Sequence, residues 1–416
     1  MKKIFLLFIL LPFFSVLSAQ DISKQQYKED FEYFWTTINN YYSYFDKKQT
    51  DWDKVKLIYS PLVDTITSKS NFVLLLETIF HELYDHHASL STNTAESHRL
   101  VPSGTDIWAE YVNNRPTIVE VRNGFGAENS GLKPGMQIVA FNDMVIEDAI
   151  RILLPKALKK PDIEAKNYAL RVLLAGKHSE LKKITITSQN RQQDYYPDQP
   201  VNLLKEHTYK GAIESRIIRK NIGYIRINNR LGDNSIIPVF DSVLTSLANT
   251  RGLILDLRET PGGGNTTVAR SILGRFISKE GFYQKHELIA ELREFGVKRS
   301  WTEIVSPKKP VYAKPLVVIA NHWTGSVGEG IVIGFDALKR GTIIGTPMAG
   351  LNGANYSFTM PHTGIGFSFP AEKLFQVNGR PREIFKPHIL VDMTGPASSK
   401  DKILEEAVRF LNKKNK

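Results

Sequence analysis

Apolar residues recur at three- and four-residue steps through the first hundred residues, then give way to shorter runs broken by glycine. Phe31, Phe34, Trp35 and Ile38 fall on one face at helical spacing, which predicts a helix. Asp51-Trp52-Asp53 reads as a helix start, with one carboxylate at the cap and a second in the first turn. A further helix is predicted from Asn71 through Leu74, Leu75, Ile79 and Leu83, and it delivers the segment Tyr84-Asp85-His86-His87-Ala88. From Gly104 to about Ile150 the pattern predicts strands at 117–121 and 137–141, a short helix at 127–130 and a turn at 131–135. Residues 189–199 are polar and predict an exposed loop or linker.

From Asn221 the chain alternates strand and helix. Residues 223–227, 252–257 and 315–320 read as strands, with helices at 236–247, from about 266 and from about 324. Such alternation predicts an α/β domain with a largely parallel sheet. In these sheets ligands and reactive groups gather where strands run out into helix N-termini. The first exit reads Asp256-Leu-Arg-Glu-Thr-Pro-Gly262-Gly263-Gly264-Asn265. Three successive glycines turn tightly and present bare N–H groups, a nest for a phosphate or for the oxyanion of an acyl intermediate. No Lys-Ser/Thr follows, which argues against a phosphate loop; a plain glycine turn reads equally well from this segment alone.

The second exit is Asn321-His322-Trp323-Thr324-Gly325-Ser326-Val327-Gly328-Glu329. Ser326 stands at a helix mouth, where free N–H groups favour developing negative charge. Taken by itself the segment favours a helix cap over a nucleophile. A serine hydroxyl needs a base, and of ten histidines the doublet His86-His87 is the most suggestive. Together with Asp85 the doublet also allows a metal reading, but it has no partner in His-Glu-x-x-His spacing, and no metal is expected.

A length of 416 residues predicts two or three domains. The formal net charge of +11 is spread along the chain, with no basic stripe interleaved with aromatics, so a nucleic-acid partner is not expected. Cysteine is absent, which excludes a disulfide framework, a thiol nucleophile and a Cys-based zinc site. Lys2 and Lys3, the apolar run 4–17 and Ser18-Ala19 before Gln20 read as a secretory signal peptide over 1–19. The run is short for a spanning helix. The expectation is an exported protein, periplasmic or extracellular, without stable membrane insertion.

Read together, these segments resemble the tail-specific and tricorn-like serine peptidases, also called C-terminal processing peptidases. The likeness rests on Asp51-Trp-Asp53, on Leu83-Tyr-Asp-His-His-Ala-Ser-Leu90, and on Ala127-Glu-Asn-Ser-Gly131-Leu132-Lys-Pro-Gly135-Met-Gln-Ile138 followed by Phe141-Asn142. Leu255-Asp256-Leu-Arg258 to Gly263, and Thr324 to Glu329, complete it. The resemblance implies an α/β multidomain protein: a helical lead-in over 20–100, a PDZ-like β domain over 101–155, a connecting segment over 156–205, and an α/β peptidase core of the ClpP/crotonase-like type over 206–416. It implies no cofactor, and unfolded proteins or peptides as substrates.

The resemblance also suggests roles. One branch of the family pairs its serine with a downstream lysine; that position here is Leu351, which accepts no proton, and Lys339 lies on the helix after Ser326. The tricorn-like branch uses a histidine from the lead-in, which falls on His87, with His86 as the competing assignment. The acid orienting it would be Glu383 in Gly379-Arg-Pro-Arg-Glu383-Ile-Phe-Lys-Pro387-His388, although the spacing is shorter than the family's and His388 replaces the usual Asp. Ser326 would attack, His87 would take its proton, and the N–H groups of Val327 and of Gly262 or Gly263 would form the oxyanion hole. The PDZ-like segment would recruit extended peptide by strand addition, or merely pack against the core, since Trp108-Ala-Glu-Tyr111 lacks the glycine pattern of a carboxylate loop. The rivals are a peptide-binding scaffold without catalysis, and an α/β enzyme of thioesters that the signal peptide disfavours.

Overall fold

Ser23 opens the first helix with a reciprocal cap: its side chain accepts from the Gln26 N–H, and the Gln26 side chain accepts from the Ser23 N–H. The computed structural model describes residues 22–188, 191–199, 209, 211–219, 221–394 and 401–414; the signal peptide expected over 1–19 lies outside the described residues. No described helix is long and apolar enough to cross a membrane. Helices α1 (Lys24–Tyr41), α2 (Trp52–Val63) and α3 (Lys69–His81) bury the faces that their apolar spacing predicts, including Phe31, Phe34, Val55, Tyr59, Phe72 and Ile79. Asp51 and Ser68 cap α2 and α3 through their side chains.

The next unit begins with β1 (Ser89–Leu90), which leaves for another sheet. It then builds β2 (Ile107–Val112), β3 (Arg115–Val121), α4 (Gly126–Ser130), β4 (Gln137–Phe141), β5 (Met144–Val145), α5 (Ile146–Leu153), α6 (Ile163–Ala175), β6 (Ile184–Ser188) and β7 (Arg191–Tyr195). Its sheet runs β2-β3-β4-β6-β7, with β5 paired to β4. One core joins Ile107, Ile118 and Ile138 to Ala169, Leu170, Ile184 and Ile186. The stretch read as a connector over 156–205 therefore supplies α6 and two strands to this unit. Of the expected polar loop, residues 191–195 pair as a strand with β6, because backbone pairing needs no apolar side chain on an edge.

The last unit carries β8 (Ile213–Ile218), β9 (Ile222–Ile227), α7 (Ile236–Ser246), β10 (Gly252–Asp256), α8 (Thr266–Gly274), β11 (Gly281–Leu288), α9 (Ile289–Phe295) and β12 (Arg299–Val305). It continues with β13 (Leu316–Ala320), α10 (Val327–Ala337), β14 (Thr342–Gly345), β15 (Ala354–Thr359), β16 (Gly366–Phe375), β17 (Ile389–Leu390) and α11 (Lys402–Lys414). The main sheet has the order β17-β14-β13-β10-β9-β8, parallel throughout except for β8 against β9. Alternate residues of its strands face α7, α8 and α10 on one side and α11 on the other. A second sheet, β1-β16-β11-β12 with β15 on β16, joins the helical lead-in to this unit. Phe367 and Phe369 of β16 lie in one cluster with Phe34 and Phe80. The lead-in and the parallel sheet thus share a wall, and the segment after α3 is carried to the strand exits.

Candidate active site

The exits of β10 and β13 meet beyond the sheet. Thr260 and Thr324 form an isolated parallel bridge, and the Gly325 N–H donates to the Thr260 carbonyl at 3.2 Å. A Cβ on Gly325 would lie 2.9 Å from the Pro261 carbonyl oxygen, so the close approach requires glycine there. The next residue, Ser326, has φ +52° and ψ −113°, a conformation that costs a side-chain-bearing residue on the order of 1–3 kcal/mol. This turn sets Ser326, partly exposed, at the start of α10. The strained strand-to-helix turn is the device by which hydrolases expose a serine nucleophile.

Ser326 and His87 line one cavity of about 270 Å³, together with Gly263, Gly264, Val327, Tyr283, Leu374 and Arg382. Among the described residues, the N–H groups of Val327 and Gly263 have no hydrogen-bond partner. The Gly262 N–H, one of the donors expected for an oxyanion, instead donates to Asn229 Oδ1 at 2.7 Å and is not free for that task. A side chain from another loop had captured it, and no local feature marks this. Ser326's own N–H donates to Glu329 Oε2 at 2.8 Å.

His87 is held from several directions. Asp85, buried, accepts the His87 N–H at 3.0 Å, the Tyr42 hydroxyl at 2.7 Å and the Asn352 side-chain amide at 2.8 Å. The Asn355 amide donates to the His87 carbonyl at 2.5 Å. His87 Nδ1 lies 2.6 Å from the Asn352 carbonyl oxygen. A carbonyl only accepts, so Nδ1 carries the proton and the Nε2 lone pair is left to act as base. Burial lowers the imidazole pKa below its ordinary value, which keeps the ring neutral near neutral pH. No hydrogen bond joins Ser326 to His87, a spacing often seen before substrate binds.

His86, the competing base, turns the other way. Its ring stacks on Tyr168 with centroids 4.5 Å apart and lines a separate cavity with His81 and His98. Glu383 does not orient His87: its Oε1 pairs with Lys47, its Oε2 is buried without a partner, and the Nδ1 proton goes to the Asn352 carbonyl. Leu351, at the position of the other branch's lysine, is buried with its Cδ1 beside Gly325.

Three residues of this site, Asn352, Glu329 and Arg382, carry no role in the sequence analysis, and Asp85 enters it only in the metal reading of the histidine doublet. Asp85 and Glu329 stood inside the quoted motifs, but nothing local distinguished them from a helix-end charge and a first-turn carboxylate. Glu329 is fully buried, and burial pushes its carboxyl pKa up to about 7 against the lowering effect of Arg382. Among the described residues no cluster of three or more His, Asp or Glu side chains is set to hold a metal ion.

Residues 221–393 match the family described as peptidase family S41, and residues 23–81 match the tricorn protease C1 domain. Among solved structures the chain is similar to mature CPAF complexed with lactacystin, at 17% identity, covering 94% of this chain and 97% of that chain, with a TM-score of 0.60. It is similar to the photosystem II D1 C-terminal processing protease at 15% identity, covering 92% and 97% of the two chains, with a TM-score of 0.54. A provisionally designated peptidase from Parabacteroides merdae matches at 18% identity, covering 92% and 96%, with a TM-score of 0.54. At these identities the likeness speaks for the fold, a mixed α/β architecture similar to that of the S41 peptidases.

Proposed function

We propose that this chain, a serine-type peptidase by its family S41 domain, is an exported endopeptidase that cleaves unfolded proteins or peptides with Ser326 as nucleophile and His87 as base. The observation that carries this reading is one cavity lined by a strained, partly exposed serine, a histidine whose Nδ1–H is engaged, and two unpartnered N–H groups. Ser326 Oγ attacks the peptide carbonyl while His87 Nε2 takes its proton. The oxygen of the tetrahedral intermediate is held by the N–H groups of Val327 and Gly263. His87 then gives the proton to the leaving amine, and water repeats the sequence on the acyl-enzyme. The Asn352 carbonyl holds the ring's tautomer, and Asp85, bonded to both His87 and Asn352, fixes the two segments together.

Export is supported by the charged, apolar and small-residue order of the first twenty residues. The β2–β7 sheet is the candidate PDZ-like unit, and its contacts with the strand exits, from Glu120 to Asn321 and from Arg122 to Glu259, favour a role in holding that region.

The test is hydrolysis of an unfolded protein by the full chain beside Ser326→Ala and His87→Ala, with fluorophosphonate labelling in parallel. Both substitutions should abolish cleavage, the nucleophile's loss amounting to about 10⁶ in turnover, and the label should sit on Ser326. Cleavage that persists in Ser326→Ala would sink the assignment. An unlabelled, inactive wild type would favour the peptide-binding scaffold.

A further inference from the structure

The strain at Ser326 has to be sustained by something, because such backbone conformations persist only where their surroundings over-determine them. Two buried charged residues grip this residue's backbone from both sides. Glu329, in the first turn of α10, accepts the Ser326 N–H on Oε2 at 2.8 Å. Arg382, in the short 3₁₀ turn Arg382–Ile384, donates to the Ser326 carbonyl at 3.2 Å. Both side chains are almost wholly buried, and the guanidinium lies 3.6 Å from Glu329 Oε2.

The same pair reaches the loop between β14 and β15. Glu329 Oε1 accepts the Gly350 N–H at 3.0 Å, and Arg382 donates to the carbonyls of Leu351 at 2.9 Å and Gly353 at 3.0 Å. Between those two carbonyls stands Asn352, whose own carbonyl orients His87. One ion pair therefore spans from the nucleophile's turn to the base's acceptor.

Resting on the Ser–His reading above, we infer that Glu329 is a positioning residue whose ionised carboxylate clamps the Ser326 turn to the loop that orients His87. A carboxylate accepts at both oxygens, as this geometry requires. Once protonated, it has a donor on one oxygen, and both oxygens face backbone N–H donors; one contact must lengthen or the group must turn. The charged and titratable groups around Glu329 are Arg382 and Glu383 on the 3₁₀ turn, with Lys47 paired to Glu383 and His87 across the cavity. Burial and Glu383 favour the neutral acid, Arg382 opposes them, and the balance leaves the pKa pushed up to about 7. The clamp is formed as pH rises through that value and released as it falls. The bond to the Ser326 N–H is half of a reciprocal cap on α10, and the bond from the Gly350 N–H is what carries the hold across to the β14–β15 loop.

The experiment follows turnover of a peptide substrate, and the rate of Ser326 phosphonylation by a fluorophosphonate, from acid to alkaline pH on the full chain. Wild type should lose activity on the acid side in two protonations, one at Glu329 and one at the lower pKa of His87. Glu329→Gln should lower kcat by about 10- to 100-fold with little change in KM, the loss expected of a misplaced nucleophile. Its acid limb should retain a single protonation, and Glu329→Asp should restore the second. The phosphonylation profile of the wild type decides the question if Glu329→Gln does not fold. A single-proton acid limb in wild type, or an unchanged kcat and limb in Glu329→Gln, overturns the inference while labelling at Ser326 leaves the Ser–His reading standing. Cleavage by Ser326→Ala would remove both.

Discussion

A histidine whose Nδ1–H is held by a peptide carbonyl at 2.6 Å has its tautomer fixed without a carboxylate. The imidazolium formed during attack then gains less from its partner than it would from an ion pair. Asp85 is the carboxylate closest in the chain of contacts, one hydrogen bond away through the His87 N–H and one through the Asn352 side chain. Removing its charge should therefore matter more than removing that of Glu383, which is paired with Lys47. Asp85→Asn is expected to lower kcat by about tenfold or more and to cost about 1–3 kcal/mol of stability, since buried donors lose an acceptor. Glu383→Gln should leave kcat within about threefold of wild type, because the replaced group touches no reacting atom. Steady-state kinetics on the two variants check this, and a loss of two orders of magnitude in Glu383→Gln would return that residue to the base.

Among the elements, the two strand exits form one surface only because β10 and β13 are neighbours in the parallel sheet. The contact between them is tight. Besides Gly325, Gly328 leaves no room, since a Cβ there would lie 2.5 Å from Thr260 Oγ1. Gly325→Ala would push the Pro261 carbonyl and the glycine run away from Ser326. We expect a chain that still folds, because the strain falls on the exits rather than on the sheet, but whose turnover drops by about 10²-fold as an oxyanion donor is misplaced. A normal thermal transition with strongly slowed phosphonylation is the expected pair of results; wild-type phosphonylation would show that the exits tolerate separation.

For the whole molecule, the core of the β2–β7 unit is joined to that of the parallel sheet through buried polar clasps beside the site. Glu120 of β3 accepts from the Asn321 amide at 3.0 Å, from His322 Nδ1 at 2.5 Å and from the Thr346 hydroxyl at 2.6 Å. Arg122 pairs with Glu259 at 2.7 Å, and the Trp323 indole donates to the Thr105 carbonyl at 2.7 Å. Both exits are thereby tied to the β2–β7 unit, at Asn321–Trp323 ahead of Ser326 and at Glu259 ahead of the glycines. Glu120→Ala strands several buried donors at once and should cost about 3–5 kcal/mol. Urea unfolding monitored with activity should show both falling together. Lower stability with unchanged kcat would mean that the clasp holds the units but not the nucleophile's loop.

The missing lysine at Leu351 is legible only through the family resemblance, whereas the alternation of strand and helix beyond Asn221, the glycine run and the serine at a helix mouth are legible in the chain itself. Each is written in neighbouring residues, through periodicity, backbone freedom or the chemistry of one side chain. The second sheet, made from 281–305 and 354–375 with β1, was not, because its strands alternate unevenly and find partners far along the chain. Nor could the sequence tell that Asn229 takes the Gly262 N–H, or that Lys47 takes Glu383. The orienting partner of His87 lies 265 residues away. It is a backbone carbonyl, a group that every residue carries, so no residue type announces it; only the packing of the lead-in against the β14–β15 loop decides which carbonyl it is.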